Sequence, residues 1–431
     1  MTIVLCMSFL FYEAQRSGPL PADQRVTWRG DSALGDGDDV GHDLTGGYYD
    51  AGDHVKFGLP GAGVITTLAW GLIEYKEGYV KAGQVDYAKA AIRWGADYLL
   101  KAHTNTFELY GQVGEGNADH AFWGRPEDMT MYRPAFKIDQ DHGGSELAGE
   151  SAAALAAAYM VFEDSDPIYA YECLANAREL YDFADQVREH YDVSIPQAAD
   201  FYKSWSGYGD ELAWSAIWLY YATGENKYLD AAKKHWNDYG MGNGDAFGYG
   251  WDEKTSGVYV LMAQLGGDSQ YHNTLQSFMD RVINETPYTP GGLLFLSEWG
   301  SLRHANNIAL LAVRAADLGL NPETYRAFAK SQIDFTLGST GRSFVVGYGV
   351  NPPQRPHHRS SSCPDPQQDW DCSTGYSNPG PNPHVLYGAM VGGPGQDGSY
   401  QDDRGDYQKN EVTIDYNAAF TGVLAAMTQM N

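Results

Sequence analysis

The chain has 431 residues, 43% of them hydrophobic and 20% charged, which is enough apolar material for a large core and the usual composition of a globular protein. Its formal net charge of −27 repels phosphate backbones and anionic bilayers, so nucleic acid and membrane are poor partners and a neutral one is favoured. The 31 Tyr and 11 Trp suit neutral polar ligands such as sugars, although most such rings fill a core.

The opening "MTIVLCMSFLF" has the apolar run of a signal peptide without its basic leader or small-residue cleavage site. It continues through "YEAQRS" as a buried helix stopped by Gly18 and Pro19. If the protein is secreted, its leader peptide is not part of this sequence. No window is long enough for a membrane span. Amphipathic spacing predicts further helices over 64–75, 86–103, the Ala-rich 145–162, 169–189, 210–222, 227–239, 255–265, 271–283, 302–318, 322–337 and 411–430. Strand-like alternation is scarce. Twelve helices joined as consecutive pairs fit an all-α (α/α)6 barrel, six hairpins closed into a double ring; an α-solenoid would need more regular repeats. No Ser/Thr/Pro linker divides the chain, so 1–431 reads as one domain. Long Gly-rich, aromatic loops at 45–61, 104–144, 201–209 and 342–410 place an open cleft at one end, since loops of that length are usually functional.

Cys6 and Cys173 stand in apolar or helical surroundings as buried thiols. Cys363 and Cys372 flank the Pro-rich "PDPQQDWD". A disulfide there would favour an oxidising compartment, and the pairing is left open because sequence does not set the Cα separation.

Four stretches carry candidate chemistry. In "GGYYDAGDHVKFGLP", Asp50 and Asp53 could hold a water and take its proton, or one of them could cap a helix or close an Asx-turn. In "SFVVGYGVNPPQRPHHRSSS" an extended backbone puts His357 and Arg359 on one side as a clamp for hydroxyls; a solvated basic turn is the alternative. Zinc between His357 and His358 is disfavoured, because adjacent residues point opposite ways. In "SYQDDRGDYQKNEVTIDYNAAF", Glu411 is expected to open a helix. There the dipole favours its charge, while crowding by Asp402, Asp403, Asp406 and aromatics opposes it. A protonated Glu411 could act as a general acid; a first-turn Glu that only favours the helix is the bland reading. In "SWSGYGDELAW", Ser206, Gly207, Asp210 and Glu211 offer hard oxygens suited to calcium, or a capped helix start.

Together these stretches, from "LFYEAQRSGPLP" to "NEVTIDYNAAF", resemble glycoside hydrolase family 9, the endo-β-1,4-glucanases, and are most similar to its animal branch. The resemblance implies an (α/α)6 barrel that hydrolyses internal bonds of cellulose and of soluble or amorphous β-glucans with inversion. It implies Asp53 as general base, Asp50 as its partner in holding the attacking water, and Glu411 as general acid. It also implies substrate contacts by His357, Arg359, His120, Trp123, Tyr202, Trp205, Trp299, Arg303, His304 and Tyr416, with Asp402 supporting Glu411. Similar members hold a structural calcium, for which Ser206, Gly207, Asp210, Glu211 and Asp252 match; no organic cofactor is implied. The expected partners are cellulose and cello-oligosaccharides, the expected state a secreted monomer. No carbohydrate-binding module or linker flanks the helices, which disfavours processive attack on crystalline cellulose. A same-fold enzyme on lichenan, glucomannan or xylan, and a catalytically silent glucan-binding protein, are the competing readings. Gly61 and Gly63 have no functional account at this level.

Overall fold

The computed structural model describes residues 1–365 and 371–430. Among these, helices of eleven or more residues are α1 (Thr2–Ala14), α2 (Gly58–Glu74), α3 (Val85–Ala102), α4 (Ser145–Phe162), α5 (Pro167–Gln186), α6 (Gly209–Thr223), α7 (Asn226–Asp238), α8 (Thr255–Leu265), α9 (Ser269–Glu285), α10 (Ser301–Asp317), α11 (Pro322–Thr336) and α12 (Ile414–Met430). The even-numbered helices touch in the cycle α2–α4–α6–α8–α10–α12–α2 and form an inner ring. The odd-numbered helices lie outside, each packed mainly against one inner helix, and α3, α5, α9 and α11 also touch a second. This is an (α/α)6 barrel. No helix is long and apolar enough to cross a membrane among the described residues.

The pairing differs in phase from the expected consecutive pairs. The hairpins are α2/α3, α4/α5, α6/α7, α8/α9 and α10/α11, and the sixth pair is α12 with α1. The ring therefore closes between the two ends of the chain. The physical reason lies in the apolar pattern. Inner helices are surrounded, so α4 is buried at every residue except Met160, whereas outer helices such as α3 bury one stripe. Close approach requires small residues. A Cβ on Gly71 of α2 would stand 3.0 Å from the Gly422 Cα of α12.

Segment 104–144, expected as loop, contains most of an antiparallel sheet: β1 (Lys56–Phe57), β2 (His103–Asn105), β3 (Glu108–Val113) and β4 (Ala135–Asp139). β4 lies along one edge of β3, while β1 and β2 pair with its other edge. The strands are short and irregular in register, so no alternating pattern announced them. Two other boundaries moved. α2 starts at Gly58, inside the expected first loop, and the last helix starts at Ile414 rather than 411.

Because inner helices alternate with outer return helices, all six inner ones run in the same direction. The segments entering them therefore gather at one mouth: Asp50 and Asp53 before α2, His120 before α4, Tyr202 before α6, Asp252 before α8, Trp299 before α10 and Glu411 before α12. Inside the ring, Trp70, Trp214 and Trp218 meet edge to face with centroids 5.6–6.1 Å apart. Below the mouth, Lys254 Nζ lies 3.3 Å from Glu150 Oε2, with side chains 1% and 0% exposed. Gly63 explains itself here: a Cβ would stand 3.0 Å from that ammonium. Gly61 faces open space and remains without a role.

Removing one partner of a buried ion pair strands the other charge, so Glu150→Ala should lower stability by about 3–5 kcal/mol. Asp238→Ala, which breaks the exposed Lys234–Asp238 pair on α7, should leave it nearly unchanged, because water screens the pair. Denaturant midpoints of the two variants, measured side by side, check the contrast.

Candidate active site

The "YYDAGD" segment is a tight loop clamped from three sides. The Asp50 N–H donates to Val55 O at 3.0 Å, and the Ile414 N–H, in the first turn of α12, donates to Asp50 O at 2.9 Å. Gln15, at the end of α1, donates from Nε2 to Ala51 O at 2.6 Å and accepts from His358 Nε2 at 2.7 Å. His358 Nδ1 accepts from the Ser361 N–H at 3.0 Å. His358 is thus a buried strut, and its neighbours His357 and Arg359 point the other way. Gly52 is required by the approach of the histidine segment: its carbonyl accepts from the Arg359 N–H at 3.0 Å, and a Cβ there would overlap the His357 carbonyl.

Within this loop the two aspartates are differentiated. Asp50 is buried and its Oδ2 accepts from the Tyr202 hydroxyl, while Oδ1 has no protein partner. Burial, followed by the charge of Asp53, pushes it well above the usual carboxylate range. Asp53 accepts from the Ala51 N–H at 3.2 Å and pairs with His120 Nε2 at 3.3 Å. Burial pushes Asp53 up, but the His120 hydrogen bond and charge, with Arg359, outweigh it and hold the carboxyl below its ordinary value. The ionised member of the pair is Asp53.

Glu411 lies just before α12, with its peptide bridged in parallel to His357. It is not a helix-opening residue. It follows the short helix Tyr407–Asn410 in extended conformation, and Thr413 Oγ1 caps α12 by accepting the Tyr416 N–H at 3.0 Å. Burial is the main reason its pKa is pushed up to about 7; the Trp299 indole N–H, 3.1 Å from Oε2, pulls the other way, and the Asp53 charge adds to the rise.

His357 donates from Nδ1 to Arg404 O at 2.7 Å, leaving Nε2 as an acceptor, and burial lowers its pKa to about 4, so it is neutral. Arg359 donates to Asp119 Oδ1 at 3.3 Å and lies over the Trp123 ring at 5.4 Å. Asp119, which the sequence did not single out, also accepts the His54 N–H at 3.1 Å; burial and then Asp53 raise it to about 6. Asp402 was expected to support Glu411. It instead accepts the N–H groups of Gln354 and Arg355, each at 2.9 Å, and so anchors the chain leading into His357.

The remaining expected contacts fall into two groups. Trp299 and Trp205 are open, at 46% and 79% exposure, and His120 has 41% of its side chain exposed. Tyr416 is buried, and Arg303 beside it donates to Asp415 Oδ2 at 3.1 Å and to His304 Nε2 at 2.7 Å; burial and then Arg303 keep His304 neutral.

The oxygen-rich turn also assembles. Ser206 Oγ lies 3.0 Å from Asp252 O and 3.2 Å from its Oδ1, beside the Gly207 carbonyl. Asp210 Oδ2 accepts the Lys254 N–H at 2.7 Å. Glu211 is fully buried with no partner for either oxygen, and burial, then Asp210, pushes its pKa well up. Burial raises Asp210 to about 8. A buried carboxylate with no partner beside a second buried acid fits a hard cation. Among the described residues, two sets of His and carboxylate ligand atoms also converge, Asp53–Asp119–His120 and Glu146–His190–Asp192. Cys363 and Cys372 are joined as a disulfide with Cα atoms 4.7 Å apart; residues 366–370 of the intervening loop lie outside the described residues. Cys173 is buried and Cys6 partly so.

The sequence profile of Glycosyl hydrolase family 9 matches residues 2–424. An endoglucanase from the termite Nasutitermes takasagoensis superposes with a TM-score of 0.97 at 55% identity, covering 100% of this chain and 98% of that one. Endoglucanase CelQ of Clostridium thermocellum, solved with cellotriose, superposes at 0.88 with 38% identity, over 99% of this chain and 70% of that one. Endoglucanase A of Bacillus pumilus is 47% identical over 99% of this chain, which spans 66% of that protein's length.

The indole N–H stabilises the ionised form of Glu411 more than the protonated one, so Trp299→Phe should raise its pKa above about 7. A carboxyl-carbon NMR titration of labelled protein would show this; an unchanged or lowered midpoint would refute the assignment of the hydrogen bond.

Proposed function

Because the chain belongs to glycosyl hydrolase family 9, we propose that it is an inverting endo-1,4-β-glucanase acting on internal bonds of cellulose and of soluble or amorphous β-glucans. One observation carries the reading: a single cleft holds an ionised carboxylate, Asp53, and a carboxyl that keeps its proton to about pH 7, Glu411. A glycosidic bond broken by single displacement needs these two states at once. Glu411 gives its proton to the leaving oxygen as the bond to the anomeric carbon breaks. A water on the opposite face attacks that carbon and passes its proton to Asp53. Asp50 offers its unpaired Oδ1 to the same water, and the Tyr202 hydroxyl fixes the other oxygen. His357 Nε2 accepts a sugar hydroxyl, Arg359 supplies donors beside it, and Trp205 and Trp299 offer open ring faces to pyranoses. The product sugar leaves with inverted configuration.

The ring and its mouth act as one catalytic unit, monomeric and extracellular; the disulfide agrees with an oxidising compartment. Calcium, held by Ser206, Gly207, Asp210, Glu211 and Asp252, would neutralise the buried acids and fix the turn that carries Tyr202 and Trp205.

Asp53→Asn and Glu411→Gln should each lower reducing-sugar release from carboxymethylcellulose by at least about 100-fold, with cello-oligosaccharide binding kept in the Glu411 variant. In the wild type, kcat/KM should fall as pH rises through about 7, where Glu411 loses its proton, and NMR should show the α-anomer as first product. Turnover surviving either substitution would sink the assignment.

Chelation with EGTA should lower the thermal midpoint of the wild type, and calcium should restore it. Glu211→Gln should bind calcium at least about 10-fold more weakly by calorimetry; an unchanged affinity would remove Glu211 from the site.

A further inference from the structure

A buried arginine that the reaction does not use organises the segment after the disulfide. Arg404 is 2% exposed, and its guanidinium donates to the carbonyls of Gly375 at 2.8 Å, Tyr376 at 3.3 Å, Asn378 at 2.7 Å and Gly380 at 3.1 Å. Its Nε donates to Asn382 Oδ1 at 2.8 Å. The same residue's carbonyl accepts His357 Nδ1–H. One side chain thus replaces the regular hydrogen bonding that this segment lacks, and its peptide ties the segment to the cleft. The Cys363–Cys372 disulfide anchors the segment's start.

What this cage presents is the ring of Tyr376, 48% exposed. It stands against Trp123 with centroids 4.8 Å apart. Trp123 meets His357 at 5.2 Å, His357 meets Tyr407 at 6.0 Å, and Tyr407 meets Trp299 at 5.4 Å. Trp299 holds Glu411. The rings form one chain of edge-to-face and tilted contacts, with interplanar angles of 51–75°, from Glu411 outward, and Tyr376 is its last member. An exposed ring contributes little to a core, so packing alone gives no reason to fix the segment that carries it with a buried guanidinium, which reaches the Tyr376 carbonyl and those of Gly375, Asn378 and Gly380. A ring held edge-on against Trp123 keeps its own flat face open, and such a face is what the apolar side of a pyranose stacks on.

We propose that Tyr376 is an outer sugar-stacking position that extends the cleft beyond Trp123, with Arg404 as its positioning residue. The inference rests on the glucanase reading and adds a chain-length preference to it.

The test compares cellotetraose with cellohexaose. Tyr376→Ala should raise KM for cellohexaose by about 5- to 10-fold, change cellotetraose kinetics by less than about twofold, and leave the thermal midpoint unaltered. Tyr376→Phe, which keeps the ring, should match the wild type. Equal effects on both oligosaccharides, or on neither, would overturn the proposal. Failure of the wild type to cleave either would overturn the glucanase reading instead. Calorimetry in the Glu411→Gln background would then still decide the site: Tyr376→Ala must weaken cellohexaose binding and spare cellotetraose.

Discussion

The close approach of α12 to α2 is the constraint on which the site depends. Two helices can meet at a glycine pair because no side chain separates their backbones, and here Gly71 faces Gly422. That seam joins the last helix of the chain to the first helix of the inner ring. It also lets the Ile414 N–H reach the Asp50 carbonyl at 2.9 Å. The aspartate loop just before α2 and Glu411 just before α12 are therefore neighbours, although 358 residues separate Asp53 from Glu411 (411 − 53). α1 packs outside the same seam and sends Gln15 inward to hold the aspartate loop against the histidine segment. Closure of the ring and construction of the site are one event.

Once the acids are brought together, burial alone would protonate all of them, because low polarizability penalises each charge. The site avoids that by distributing cations unequally. His120 touches Asp53, and Arg359 lies near enough to add its charge. Asp50 receives only a phenol hydroxyl, and Glu411 only an indole N–H. One carboxylate stays ionised while two acids keep their protons. Mutual repulsion reinforces the division, since the charge on Asp53 raises Asp50, Asp119 and Glu411 together. The same logic operates at the oxygen-rich turn, where Glu211 and Asp210 have no cationic side chain bonded to them and their pKa values rise.

Helices were legible wherever an apolar stripe recurred at helical spacing, and α3, α7 and α9 bury such stripes. Inner helices such as α4 were legible from composition, being rich in Ala with an unbroken apolar run from Ala152 to Phe162. Their pairing was not, because a hairpin between consecutive helices and one between chain ends look alike in a pattern of apolar residues. The sheet of β1–β4 escaped notice because β1 and β2 are two and three residues long, while β3 is buried along nearly its whole length and so does not alternate. Asp50, Asp53, His357, Arg359 and Glu411 were found because distinctive local motifs carry them. Gln15, Asp119 and Arg404 were not, since they act on carbonyls and N–H groups of segments remote in sequence. The helix-opening role expected of Glu411 failed for a local reason: Thr413 supplies a better cap.

By itself the sequence determined the helical class and the residues able to do acid–base chemistry, because side-chain type and spacing carry that information. Only the tertiary structure decided which helix closes the ring and which aspartate keeps its charge. It also decided that Asp402 braces the histidine segment and that Tyr376 stands half-exposed at the end of a chain of ring contacts. Those outcomes depend on burial and on contacts between segments far apart in the chain, and neither is a property of any short stretch of residues.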